Sequence, residues 1–213
     1  MTMQTLTEEE KLVLVALDLD GFKKSNDVLG HVTGDKVLRS FGVSLFGAPR
    51  PDDVVAHYSG DEFGLLLKVK KEDNVQSIIE RILKKAQDDK NRPVEGIQEV
   101  SSGFVEVGFD DKDRVAFDTA RDMSDHASNV SKTLGILLEI RGAKADSAER
   151  IIPYSEIENI QSEYPEEEWK IADMVRGLKR EMGNLLSVNQ MAEIAKMTLS
   201  GEMQEMLEKR GVK

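Results

Sequence analysis

The residues with the clearest chemical potential are acids. Asp18 ends a short apolar run and is followed by Leu19 and Asp20, and Asp61-Glu62 follow Ser59-Gly60 between two further apolar runs. Ligands of open α/β sheets collect beyond the C-terminal ends of strands, which is where Asp18 would stand. Two or three carboxylates brought to one point repel each other unless a cation sits among them. Ligation by oxygen alone suits Mg²⁺, and Mg²⁺ usually brings phosphates with it. The acids therefore point to a divalent-metal site for a phosphorylated substrate. Taken alone they fit a plainer account equally well, with Asp61-Glu62 as a polar turn and Asp18 as a helix cap.

Positioning such a site requires particular elements. Residues 11–18 (KLVLVALD) are short and apolar and read as a buried strand. Residues 22–30 read as a short helix stopped by Gly30, and residues 35–46 place Val37, Leu38, Phe41 and Leu45 at helical spacing. Residues 54–58 and 63–67 are strand-like, and Ser59 to Glu62 between them make a hairpin. Residues 73–89 form an amphipathic helix with Lys84 and Lys85 near its end. Residues 98–109 read as a strand, 113–133 as a helix and 135–140 (GILLEI) as a last strand. The order β-α-α-β-β-α-β-α-β predicts an α/β fold, a mixed sheet of about five strands with helices packed on it around a ferredoxin-like core. Composition shifts after Ile140, and residues 142–150 read as a linker. Residues 156–209 are helical in pattern, with Trp169, Ala172, Val175, Leu178 and Met182 on one stripe and a break and restart at Gly183 and Ser187. The expected domains are thus 1–142 and a helical C-terminal extension, 143–213.

Composition narrows the function classes. The chain has 213 residues, a formal net charge of −11 and a pI near 4.9, which disfavours general nucleic-acid binding because phosphate backbones need a basic face. Carboxylates that hold metal ions remain compatible with nucleotides. The hydrophobic share of 39% allows a real core. No cysteine is present, which excludes disulfides, thiolate metal sites and cysteine nucleophiles and fits a reducing compartment. The longest early apolar run is far short of a membrane span, and Met1 to Glu10 are acidic, unlike a secretory signal. The expectation is a soluble, cytoplasmic protein with no membrane and no nucleic-acid partner.

The full strings carry more than the isolated acids. Residues 18–35 (DLDGFKKSNDVLGHVTGD) and Tyr58-Ser59-Gly60-Asp61-Glu62-Phe63 resemble, in order and at the right separation, the two signatures of the GGDEF family of diguanylate cyclases. Ser59 stands in place of the first glycine. The resemblance covers roughly residues 11–141 and implies the GGDEF, palm-like fold. It also implies a reaction in which two GTP-loaded subunits face each other as a homodimer. Each 3′-hydroxyl attacks the other α-phosphate, and cyclic di-GMP and two pyrophosphates form. By resemblance, Asp18, Asp61, Glu62 and the carbonyl of Leu19 hold Mg²⁺ or Mn²⁺, and Glu62, Asp61 and Asp18 are the catalytic acids. Gly21, Phe22 and Lys23 match the segment whose N–H groups hold the terminal phosphates at a helix start. Asn26 and Asp35 match the guanine-reading positions, and Gly60 belongs to the substrate-binding set. An aspartate that accepts from guanine N1 and N2 rejects adenine, which lacks that donor pair.

Lys132 matches a lysine of the family's late helix that contacts the triphosphate. Asn129 stands where an aromatic residue is usual, and Thr133 where a basic one is frequent. Arg50 and Asp53 match a product-inhibition site for cyclic di-GMP. His31 reads as a turn-fixing residue. Two other readings stay open: a cyclic-dinucleotide synthase of other specificity, similar to minimal CRISPR polymerases, and a non-catalytic cyclic di-GMP receptor. Asn26 and Asp35 favour guanine, and the clustered acids favour catalysis. For the C-terminal helices the sequence leaves three partners: their own catalytic domain, a second subunit (slightly favoured), or another protein.

Overall fold

A computed structural model describes residues 6–22, 26–27, 30–87, 99–107, 117–146, 149–182 and 185–202. Five strands form one mixed sheet in the order β2-β3-β1-β4-β5. The first apolar run becomes the central strand β1 (Glu10–Leu19), antiparallel both to β3 (Glu62–Lys70) and to β4 (Val100–Val107). β2 (Val54–Ser59) pairs antiparallel with β3 on one edge. β1 is apolar on both faces because both are covered. Val13, Val15, Leu17 and Leu19 face a core shared with Phe63, Leu65 and Leu67 and closed by α1 (His31–Phe46) and α2 (Val75–Gln87). Leu14 faces the other way, onto Val105 and Ala120 beneath α3 (Phe117–Ile140).

α3 is the element that reaches across the sheet. Its 24 residues span roughly 36 Å at the usual rise per residue. It lies directly on β4 because Gly103 has no side chain. A Cβ there would fall 2.1 Å from the Ser128 nitrogen and 2.3 Å from the Ser124 oxygen, both helix backbone atoms. Ala120, Ser124, Ala127, Ser128 and Ser131 give α3 the small buried face that this approach needs.

The expected last strand is not one. Gly135 to Ile140 continue α3. The run is apolar on all sides because the helix is sandwiched there: Leu134 and Leu138 pack with Ile152 and Ile157, whereas Ile136 and Leu137 pack with Ile171 and Val175. A short run buried all round has no periodicity that separates helix from strand. The fifth strand is instead β5 (Ile151–Pro153), parallel to β4 and immediately after the expected linker. The expected boundary at residue 142 therefore precedes a strand of the same sheet. The helix expected over 22–30 falls largely outside the described residues, although residues 22, 26 and 27 are helical.

A 3₁₀ turn (Tyr154–Glu156) and α4 (Ile157–Ser162) lead to α5 (Glu166–Met182) and α6 (Val188–Leu199). Ser187 caps α6 in a capping box with Gln190, the restart expected from the sequence. The stripe on α5 is filled from within its own chain. Ala172 and Val175 are buried, and Trp169, Leu178 and Met182 pack partly buried, against Ile136 and Leu137 of α3 and Met191, Ala192 and Ala195 of α6. Arg141 grips Glu168 with two hydrogen bonds of 2.8 and 2.9 Å, and Lys179 meets Glu139 at 3.0 Å. The slight preference for pairing with a second subunit gives way to packing on the chain's own α3.

Candidate functional site

The site lies where β1 ends beside the β2–β3 hairpin. Register puts Asp18 opposite Glu62 on β3 and opposite Ser101 on β4. A register shift between His57 and Ser59 and the positive φ of Gly60, +49°, turn the chain at the hairpin tip. The tip is held by His57 Nε2 against the Gly60 carbonyl at 2.9 Å and by Ser59 Oγ donating to Glu62 Oε2 at 3.3 Å. The serine in the first-glycine position thus supports the turn. Leu19 N–H donates to the Asp61 carbonyl at 3.3 Å, which draws the hairpin tip onto the strand end.

The electrostatics follow from this crowding. Burial pushes the Asp18 carboxyl above its usual range, Lys132 pulls it back, and the charges of Asp61 and Glu62 push it up again. Lys132 reaches from α3 and forms an ion pair with Asp18 Oδ2. Among the described residues no three His, Asp or Glu side chains close into a metal cage by themselves. The donors gathered here are oxygens around a strand end, which suits a hard divalent cation whose shell is completed by phosphate oxygens.

The two residues expected to read guanine lie close together. Asn26 is half-buried, and its Oδ1 is buried without a hydrogen-bond partner among the described residues. Gly34 makes room for it: a Cβ on Gly34 would fall 1.4 Å from that oxygen. Asp35, the next residue, is exposed just past the first turn of α1. A buried amide oxygen without a donor is costly, and this one is held there by the absence of a side chain on Gly34. Gly21 is exposed with φ +73°. The Phe22 side chain is buried in the main core, which leaves only its backbone for a ligand. Lys23 lies outside the described residues. Arg50 and Asp53 meet through the backbone: Asp53 accepts from Arg50 N–H at 2.9 Å and from Lys68 N–H at 3.0 Å. The Asp53 carboxylate holds the turn that enters β2, at the opposite end of that strand from Ser59, and Arg50 is exposed.

Sequence reasoning gave no role to several residues that line this site. Asp20 is one. Ser101 Oγ donates to both its oxygens, at 3.0 and 2.8 Å, and Arg150 Nη1 lies 2.7 Å away. Burial pushes the Asp20 carboxyl up to about 6, against the pull of Ser101, Arg150 and Lys132. Asp125 and Arg121 of α3 are two more. They pair at 3.7 Å, the Arg121 guanidinium lies 4.8 Å over the Tyr58 ring, and burial raises the Asp125 carboxyl, as does nearby Glu62. The i, i+4 spacing of Arg121 and Asp125 was visible in the sequence, but nothing local joined it to the hairpin. Arg150 stood in what read as a linker.

The chain matches the family described as "Diguanylate cyclase, GGDEF domain" over residues 2–135. It is 34% identical over 84 residues to a probable diguanylate cyclase, DgcT, of Escherichia coli K12, covering 38% of this chain and 18% of that protein. It is 36% identical over 76 residues to the cyclic di-GMP phosphodiesterase PdeR of the same organism, covering 36% of this chain and 12% of that one. The matched segments are thus small parts of these longer relatives. Among solved structures, the GGDEF domain of DgcB from Caulobacter crescentus, in complex with cyclic di-GMP, is similar with a TM-score of 0.52 and 26% identity, over 68% of this chain and 79% of that one. Among the described residues no helix is long and apolar enough to cross a membrane.

Proposed function

This chain belongs to the GGDEF family of diguanylate cyclase domains, and from that premise we propose that it joins two GTP molecules into cyclic di-GMP with release of two pyrophosphates. The observation that carries the reading is the register that sets Asp18 opposite Glu62, with the Asp61 carbonyl bonded to Leu19 N–H. The four expected metal-site residues belong to those paired segments. Asp18, Asp61, Glu62 and the Leu19 carbonyl would hold Mg²⁺ or Mn²⁺. Such an ion, when bound, polarises the α-phosphate and neutralises the leaving pyrophosphate.

The remaining work falls to the chain itself. The N–H groups of Gly21, Phe22 and Lys23 hold the terminal phosphates, with Gly60 allowing close approach at the hairpin. Lys132 leaves Asp18 for the triphosphate when the nucleotide arrives. Asn26, half-buried beside Gly34, meets the guanine edge through its side-chain amide, and Asp35 accepts from N1 and N2, so adenine is refused. Glu62 serves the attacking 3′-hydroxyl, directly or through the metal. One domain holds half of this arrangement, so turnover takes two chains face to face. Arg50 is the residue offered to product at the inhibitory site, on a turn that Asp53 holds in shape.

A second reading is a domain that binds cyclic di-GMP without making it; one relative similar to this chain, PdeR, is described as a cyclic di-GMP phosphodiesterase and not as a cyclase. One experiment separates the two. Purified protein is incubated with GTP, with ATP and with both, plus Mg²⁺, and the products are identified by mass. Cyclic di-GMP from GTP alone supports the cyclase. A mixed or adenine product means another specificity, and no product with retained cyclic di-GMP binding means a receptor.

A further inference from the structure

A salt-bridge network beside the nucleotide residues ties the end of β1 to the segment that enters β5. Arg150 places Nη1 2.7 Å from Asp20 Oδ2 and Nη2 on Glu99 Oε2. Ser101 Oγ holds the same Asp20 carboxylate, and Lys144 Nζ meets the other Glu99 oxygen at 3.1 Å. The arginine is held from behind as well. Its carbonyl accepts from Ser102 N–H at 2.8 Å, and its guanidinium lies 3.7 to 3.9 Å from where a Cβ on Gly135 would stand. A planar guanidinium can bridge two carboxylates in a fixed geometry that a lysine ammonium cannot impose.

The backbone gives this network its reach. Asp20 N–H donates to the Glu99 carbonyl at 2.7 Å, while Leu19 N–H, one residue earlier, donates to Asp61. The Leu19 carbonyl and the Asp20 N–H belong to one planar trans peptide and point in opposite directions. Fixing the N–H on Glu99 therefore aims the Leu19 carbonyl. Arg150 grips the side chains of both residues that make this bond.

We propose that Arg150 is a positioning residue for the nucleotide site: by clamping Asp20 to Glu99 it aims the Leu19 carbonyl, and steadies Asp18, toward the divalent metal. The proposal rests on the metal–nucleotide reading given above. It makes a residue of the C-terminal segment part of the metal site's support, although it touches neither metal nor substrate. Such supporting partners typically change metal affinity about 10- to 100-fold when lost.

The test measures metal binding directly. Mn²⁺ is titrated into the full chain with 3′-deoxy-GTP, which cannot be cyclised, and free Mn²⁺ is read by electron paramagnetic resonance. Arg150→Met should weaken Mn²⁺ binding about 10- to 100-fold, and Arg150→Lys should recover part of the loss. Gly135→Leu keeps the arginine and favours the helix, but its longer side chain displaces the guanidinium; it should weaken binding in the same way, whereas Gly135→Ala should not. If Arg150→Met does not fold, the Gly135 pair carries the test. Parental Mn²⁺ affinity in folded Arg150→Met and Gly135→Leu proteins would overturn the positioning role and leave Arg150 as a cross-link of the fold, with the cyclase reading intact. A parent that binds no Mn²⁺ with the nucleotide overturns the site reading and this proposal together.

Discussion

Lys132, two-thirds of the way along α3, forms an ion pair with Asp18 at the end of the central strand, so the helix covering the sheet also supplies the cation that faces this crowded acid. Both side chains are largely buried, at 22% and 17% exposure. Lys132→Met should destabilise the metal-free protein by about 1.5–3 kcal/mol, the usual worth of a hydrogen bond to a charged group. A divalent cation can replace the lost charge. Mg²⁺ should therefore raise the melting temperature of Lys132→Met more than that of the parent. Equal Mg²⁺-induced changes in the two proteins would count against Asp18 as a metal ligand.

Gly34→Ala isolates base recognition from folding. The added Cβ would overlap Asn26 Oδ1, a side-chain atom that can move away, so the fold has an escape. Alanine is favoured over glycine in a helix by about 1 kcal/mol. The variant should melt at or above the parental temperature, yet its KM for GTP should rise about tenfold, the equivalent of one lost hydrogen bond near 1.4 kcal/mol. Steady-state kinetics and calorimetry on the same preparation check both halves. A KM unchanged from the parent would mean that guanine is not read by Asn26.

The sheet core and the place of the candidate acids in the fold were legible because each depends on a local pattern. β1 is a continuous apolar run, α2 is amphipathic, and Gly60 marks the hairpin that carries Asp61 and Glu62. What was not legible depends on long-range contacts. Gly135 to Ile140 read as a strand because the partners that bury their different sides, Ile152 and Ile171, lie in elements that follow. β5 is three residues long, too short for any alternation to register. Asp20 looked like one more acid in a signature; its partner Arg150 is 130 residues away. The α5 stripe was visible, but an apolar stripe does not name what covers it.

Asp20 gives a pH dependence with a definite sign. Its folded pKa of about 6 lies above the ordinary unfolded value, so the folded state binds the proton more tightly. Its contribution is then most favourable below the unfolded value and declines as pH rises through the folded one, between about 4 and 6. Asp18, also raised by burial, acts in the same direction. In the absence of metal, Asp20→Asn should remove about 2–3 kcal/mol of this dependence, because a tenfold change in proton affinity is worth about 1.4 kcal/mol. Urea unfolding of both proteins at several pH values reads it out. Parallel stability curves for the two would show that Asp20 is not protonated in the folded chain in that range.

Truncation tests how far the C-terminal segment belongs to the cyclase fold. Cutting after residue 142 removes β5 from the edge of β4, removes Arg150 from Asp20, and strips the cover from Ile136 and Leu137. Cutting after Ser162 keeps β5, Arg150 and α4 and removes only α5 and α6. If the segment were an independent extension, both fragments would melt cooperatively. The contacts argue otherwise. The 1–142 fragment should lose cooperative melting, because a sheet edge and one side of α3 are laid bare together. The 1–162 fragment should retain a folded sheet but expose the apolar side of α3, Ile136 and Leu137 with it, and self-associate through that patch. Circular dichroism melts with light scattering at two protein concentrations distinguish these outcomes. A monomeric, cooperatively melting 1–142 fragment would show that β5 and the helices after it are dispensable to the fold.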